Sequence, residues 1–238
     1  MTVFHDLLQV QEHDTAADRL RHRRQTLPEA AALAASEDEL AGLEATLAGV
    51  GTDAAESAKL QRRLEGELAL LESKISELDA KLYSGAVTVP RELQAMQTEG
   101  DAMRQRRAAL EDEVLEAMSA RETVDEQVAG LERRRSELDG ECVRLRVAVA
   151  EAQAQVDRDL TAEVAARADA ATRIPADVTA LYEQLRAHLG GVAAAPLVNG
   201  RCGGCHLALP ATEIDRLRKE PAETLVRCEQ CERILVRP

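Results

Sequence analysis

LYSGAVTVPREL, residues 82 to 93, interrupts two long runs of heptad repeat, and the way the chain passes through it decides the fold. Gly85 and Pro90 break a helix and the branched Val87 and Val89 disfavour one, whereas Pro90 suits the first turn of a helix that starts there. Two long helices joined by so short a break fold back on each other, predicting an antiparallel hairpin with its tip at about residues 83–90.

Upstream, stepping alternately by three and four residues from Leu33 passes through Leu40, Leu43, Leu47, Val50, Leu64, Leu68, Leu71, Ile75, Leu78 and Leu82; 12 of the 15 positions met are apolar. Downstream, the same steps from Leu93 pass through Met96, Met103, Leu110, Val114, Val124, Val128, Leu131, Leu138, Leu145 and Val149, and hold their phase to Val156. Such a period belongs to coiled-coil helices. Pairing Leu82 with Leu93 implies partners whose numbers sum to about 175. Leu47 then lies beside Val128, Leu40 beside Arg135, and the end of the second helix beside Val10, Ala17, Leu20 and Leu27.

Composition points the same way. The 238 residues are 31% charged and 45% hydrophobic, yet hold no Trp, one Phe and two Tyr. A globular core of that length normally buries several aromatics, so this is the composition of a helical rod. Three basic clusters, DRLRHRRQ (18–25), MRQRR (103–107) and LERRR (131–135), resemble phosphate-binding patches. In the expected register they lie near Glu151 and Asp157, near Glu65, Glu67 and Glu72, and near Glu37, Glu39 and Glu44, which favours ion pairs flanking the seam. Arg107, Arg121 and Arg135 recur on the seam itself, where stems pack and guanidinium groups reach water. Pro28 predicts a kink or short break near 26–28, with Thr26 and Glu29 as a capping box. Cys142 falls on the seam as a buried thiol. Pro175 and Gly190 bound a short linking helix. The expected divisions are a hairpin over 1–171, a linker over 172–191 and a cysteine-bearing lobe over 192–238.

That lobe carries RCGGC (201–205) and RCEQC (227–231), two CxxC units with 22 residues between them. The chain opens MTVFHDLLQV, without a basic segment leading into an apolar run, and has nothing long enough to span a membrane. A reducing cytoplasm is the expected location, where structural disulfides are rare. A redox CxxC opens a helix in a βαβ unit, which these do not. Zinc fits best: Cys202, Cys205, Cys228 and Cys231 offer four thiolates for one tetrahedral ion, with Gly203 and Gly204 supplying unusual backbone angles in the first loop. AAAPLVNGRC with its Asn199-Gly200 turn, TLVRC and RILVRP read as the short strands of a zinc ribbon. Four thiolates close the coordination sphere, so one structural Zn²⁺ per chain is expected, contributing on the order of 10 kcal/mol to folding a lobe with little core. Chelation is expected to unfold the ribbon alone. The fold class is therefore mainly α: a long antiparallel coiled-coil hairpin with a small C-terminal zinc ribbon of short β-strands.

LYSGAVTVPRELQAMQ at the tip, IPADVTALYEQLR before the ribbon, GRCGGCHLALP at the first knuckle and LVRCEQCERIL at the second together resemble the bacterial coiled-coil hairpin proteins with a C-terminal four-cysteine zinc ribbon. The resemblance covers nearly the whole chain. It implies an elongated hairpin carrying the ribbon and raises nucleic-acid binding as a role. The family includes flagellar regulators of epsilon-proteobacteria, associated with an alternative sigma factor and a flagellin message, and no residue here carries that specificity over.

Three functions compete. A nonenzymatic adaptor of the transcription or RNA machinery would use the ribbon for contact and the rod for distance. A sequence-nonspecific nucleic-acid binder would use the ribbon's Arg216, Arg218, Lys219, Arg227 and Arg233. A polymerase-channel factor would act through the tip. SGAVTVP has no clustered carboxylates for a catalytic metal, and the chain shows neither a phosphate loop nor a nucleophile–base pair, so no enzymatic activity is expected. Net charge is −13, which repels phosphate at long range. The ribbon has seven Arg or Lys against six Asp or Glu over 197–238, and no aromatic to stack a base. A protein partner is the leading expectation, with weak, salt-sensitive nucleic-acid binding second, no membrane, and a monomer or a dimer.

Overall fold

The computed structural model describes residues 3–221 and 223–237. Helix α1 covers Val3–Gln25, α2 covers Pro28–Tyr83, α3 covers Pro90–Ala171 and α4 covers Ala176–His188. Then come β1 (Ala194–Val198), β2 (Arg201–Cys202), α5 (Ala211–Lys219), β3 (Val226–Arg227) and β4 (Ile234–Val236). The long hairpin and small C-terminal sheet expected from the sequence are both present. The chain divides into two compact units, Leu33–Arg144 and Met1–Ala32 with Leu145–Pro238, so the second joins the N-terminal helix to the ribbon and cuts the chain differently from the division by composition.

Within Leu33–Arg144, α2 and α3 turn at Ser84–Val89, where Gly85 takes φ +76°, a conformation open to glycine. The Ser84 hydroxyl donates to Lys81 O at 2.7 Å and accepts from Ala86 N, while Val89 O accepts from Glu92 N and Leu93 N to start α3. The seam buries Leu64, Leu110, Val114 and Ala117 as one cluster, and Leu138 and Cys142 elsewhere. The pairing is shifted from the expected one. Leu78 packs at Gly100, three residues nearer the tip on α2 than the expected Ile75, and Arg104, Arg121 and Arg135 reach forward to Asp79, Gln61 and Glu44. A slide of half a heptad still sets one apolar stripe against the other, so periodicity does not fix register. Gly100 helps to fix it: Leu78 Cδ2 lies 3.3 Å from where its Cβ would stand, filling the gap.

Ion pairs flank this seam as expected for Arg134 with Glu39 at 2.7 Å and Arg135 with Glu44. The 103–107 cluster finds other partners than Glu65, Glu67 and Glu72: Arg104 pairs with Asp79 and Asp101, Arg106 with Glu113 and Arg107 with Glu111. Asp101, Glu111 and Glu113 lie within reach along α3 itself, and Asp79 is the partner across the seam. Arg107, Arg121 and Arg135 share a local device, each having an acid four residues on at Glu111, Asp125 or Asp139.

In the other unit, α1 packs on the end of α3, on α4 and on the sheet. Phe4, Leu7, Val10, Ala170, Ile174, Tyr182 and Leu185 share a core with Ala193, Ala194, Ile234 and Val236. The break at 26–27 is real, since α1 ends at Gln25 and α2 begins at Pro28, with Leu27 buried. Thr26 makes no capping box: its hydroxyl donates to His22 O at 2.9 Å, finishing α1 instead of starting α2.

Candidate metal centre

The sheet has strand order β2-β1-β4-β3, with β1 and β4 parallel and each flanked by an antiparallel neighbour. Because side chains alternate across a strand, it serves two cores. Ala194, Ile234 and Val236 face the helices, whereas Ala195 and Leu235 face Cys202, Cys228, Leu209 and Leu217.

Two knuckles project from it with matching backbone bonds. His206 N donates to Cys202 O and Glu232 N to Cys228 O, both at 2.8 Å; Cys202 N donates to Leu207 O and Cys228 N to Arg233 O. The residue after each second cysteine, His206 at φ 63° and Glu232 at φ 62°, takes the left-handed turn. The glycines have a different task from the one the sequence suggests. Gly203 and Gly204 are absent from the left-handed set; a Cβ on Gly203 would stand 3.0 Å from Pro196 O, and one on Gly204 would stand 2.5 Å from Arg233 Cδ. Close approach, rather than an unusual angle, calls for glycine there. Asn199 and Gly200, both at positive φ, form the expected hairpin turn.

These turns bring the four sulfurs within 4.8 Å of one another, with Cys202 Sγ to Cys231 Sγ at 3.8 Å and Cys205 Sγ to Cys228 Sγ at 4.0 Å. A disulfide would need about 2.05 Å. A tetrahedron around Zn²⁺ with Zn–S bonds of about 2.3 Å has edges of about 3.8 Å, so the set fits this ion. Cys202, Cys205, Cys228 and Cys231 would hold it, and the ion would supply structural crosslinking without an open position for water. Burial pushes the thiols of Cys202 and Cys228 up, the latter to about 12. At Cys231 burial is outweighed by hydrogen bonds from the backbone and side chain of Arg233, which hold the thiol down to about 7. Ligation therefore releases protons, and the metal is held less firmly as pH falls.

The ribbon cations are largely committed within the fold. Arg216 pairs with Glu229, Arg218 with Asp215, and Arg227 with both the carbonyl and the carboxylate of Glu232. Arg233 is a correction: half-buried, it donates to Val192 O at 2.8 Å and Leu189 O at 3.1 Å and is a structural clamp, not a free contact residue. Lys219 has no polar side-chain partner among the described residues. Arg237, not singled out from the sequence, donates to Leu217 O, Glu220 O, Pro221 O and Thr224 O, holding the end of α5. Of the 18–25 cluster, Arg21 pairs with Asp18 and Arg24 with Asp157. Arg19, His22 and Arg23 have no such partner among the described residues, and Arg19 and His22 border a shallow groove of about 340 Å³ beside Gly190 and Gly191.

Sequence reasoning also missed the polar centre between α1, α3 and α4. Asp14 is buried, accepting from Tyr182 Oη at 2.8 Å and from Arg167 at 3.3 Å, with Arg186 at 3.6 Å. Gln11 accepts from Ala193 N and Ala194 N and donates to Gly191 O, pinning the start of β1. The signal was a carboxylate on the apolar stripe between Val10 and Ala17, which on burial demands partners.

With hairpin and four-sulfur site described, family models match the chain in two places. Residues 10–190 match the CT398-like coiled coil hairpin domain and residues 201–235 the C4-type zinc ribbon domain. The chain belongs to the CT398-like coiled-coil hairpin family. Among family relatives, the uncharacterized protein Rv2229c of Mycobacterium tuberculosis is 27% identical over 97% of this chain and 94% of its own. A solved structure of a Mycobacterium smegmatis protein, also 27% identical, covers 99% of this chain and 97% of its own at TM-score 0.68. CT398 from Chlamydia trachomatis is 19% identical, covers 99% and 98% at TM-score 0.68, and shows the shared fold alone. Neither matching family is defined by a reaction, and among the described residues no helix is long and apolar enough to cross a membrane.

Proposed function

We propose that the protein is a nonenzymatic, cytoplasmic adaptor that binds a protein of the transcription or RNA machinery, with its ribbon as a contact surface. The observation that carries this is the contrast between the ribbon's cations and its exposed apolar groups. Arg227 and Arg233 hold backbone carbonyls within the fold and Arg216 and Arg218 lie beside Glu229 and Asp215, whereas Val198 is 53% exposed and Leu207 52% exposed beside the first knuckle. Apolar groups at a metal-braced hairpin suit a protein surface better than a phosphate backbone. The net charge of −13 works in the same direction. The test is affinity capture from the native cytoplasm with and without nuclease, using the wild type and a V198D/L207D variant that retains its zinc. A partner that survives nuclease and is lost with the variant is expected; capture unaffected by the variant counts against the ribbon.

The second function is weak, sequence-indifferent nucleic-acid binding, favoured by Arg19, Arg23 and Lys219, which have no ion-pair partner among the described residues. Anisotropy against DNA and RNA over a salt series should show binding no tighter than micromolar, fading near physiological salt. Tight binding that survives moderate salt would put nucleic acid first.

A further inference from the structure

Arg233 occupies a place that neither hairpin nor ribbon explains alone. Its guanidinium donates to Leu189 O and Val192 O, carbonyls at and just beyond the end of α4, from a position two residues past the ligand Cys231. Its own carbonyl accepts from Cys228 N at 2.9 Å, so one residue holds the main chain of a ligand cysteine and the end of α4. The next residue, Ile234, donates to Ala193 O at 2.8 Å in the strand whose first amides Gln11 holds. Gly204 of the opposite knuckle closes over the Arg233 stem, leaving no room for a Cβ.

The electrostatics are matched on both sides. The end of a helix carries partial negative charge on its unsatisfied carbonyls, and Arg233 sits at that end of α4. Four thiolates around one divalent cation carry a net −2, which a neighbouring cation moderates. A planar guanidinium can address both at once through separate N–H groups, whereas an ammonium acts as a single point charge.

We propose that Arg233 is a positioning residue for the metal site and couples it to the helical base: metal on the four sulfurs fixes Arg233, Arg233 fixes the end of α4 and the start of β1, and the two halves gain order together. Ribbon and helix base are then one cooperative unit rather than two tethered modules.

The test measures zinc affinity and local order in the full-length protein. Competition with a chromophoric chelator should show R233M binding zinc at least tenfold more weakly, in the range seen when groups supporting metal ligands are removed. R218M, which alters an exposed arginine on α5 of the same ribbon, should bind as the wild type does. Hydrogen exchange at residues 189–194 should quicken on chelation of the wild type and be quick already in zinc-loaded R233M. R233K should recover much of the affinity but leave residues 189–194 loose, because one ammonium does not reproduce the fork that holds both carbonyls. Should R233M fail to fold, chelation of the wild type alone decides: unchanged exchange at 189–194 overturns the coupling. Equal zinc affinity in wild type and R233M overturns the positioning role.

Discussion

The Leu33–Arg144 hairpin and the unit that joins α1, α4 and the ribbon are both built around helices, yet they are held in opposite ways. The hairpin spreads its stability over a repeating apolar seam with exposed ion pairs at its flanks, such as Glu39 with Arg134. The other unit concentrates it in a few groups: four sulfurs, a buried carboxylate with two hydrogen-bond donors and a second arginine beside it, and a glutamine that holds a strand. A repeated weak contact can be lost without much consequence, whereas a buried polar group depends on every partner. The hairpin should therefore tolerate substitution at its flanks and the other unit should not.

The largest effect should follow loss of the metal. C228S should lower zinc from one ion per chain to none, removing a binding term on the order of 10 kcal/mol. Because Ala194, Ile234 and Val236 lie in the core with α1 and α4, protease sites should open in the N-terminal helix as well as in the ribbon, while most of the far-UV helical signal remains. This replaces the expectation of a ribbon that unfolds alone. Limited proteolysis with mass mapping checks it, and an N-terminal helix that stays protected would restore the picture of separate modules.

Next comes D14A, which leaves the buried Tyr182 hydroxyl without its acceptor and takes one of two carboxylate partners from Arg167 and from Arg186, which keep Glu183 and Asp18; the expected loss is about 3 kcal/mol in denaturant unfolding. Its counterpart in the hairpin, E39A, breaks the exposed pair with Arg134 and should produce no measurable change. Similar losses from the two substitutions would erase the contrast. L110A, in the seam cluster, should cost about 2 to 5 kcal/mol, showing that the hairpin depends on its apolar core rather than its charges.

A smaller effect is set by pH. Burial, with the hydrogen bond to Asp14, raises the Tyr182 hydroxyl above its ordinary value. The protonated form is thus favoured in the fold, so its contribution is complete below about pH 10 and is lost as pH rises beyond that. Unfolding measured at increasing alkalinity should weaken the wild type, with Y182F starting lower and falling less. The least expected change is a gain. Glu213 is buried with one carboxylate oxygen unpartnered, and burial, then Glu229, raises its pKa. At neutral pH E213Q should stabilise the ribbon by about 1 kcal/mol; a loss would mean that its charge is needed at the first turn of α5.

Several features were legible because they depend on near neighbours in the chain. Leu33 to Leu82 and Leu93 to Val156 declare their period residue by residue; Gly85 and Pro90 punctuate it; the spacing within each CxxC is set by one tight turn. Distance in sequence hid the rest. Register was hidden because a half-heptad slide keeps both stripes matched, and only the fit of Leu78 at Gly100 distinguishes one alignment from another. Arg233 looked like one more surface cation because its carbonyl partners lie more than 40 residues away. Gln11, Asp14 and Tyr182 looked like ordinary helix residues until the folded chain brought them together across more than 160 positions. The sequence by itself determined the helices, their hairpin and the four ligands, since local sterics and periodicity suffice for these. Only the tertiary structure decided which arginines are free, how the seam aligns and that the metal site shares a sheet with the helical base, because each depends on which distant groups burial leaves as partners.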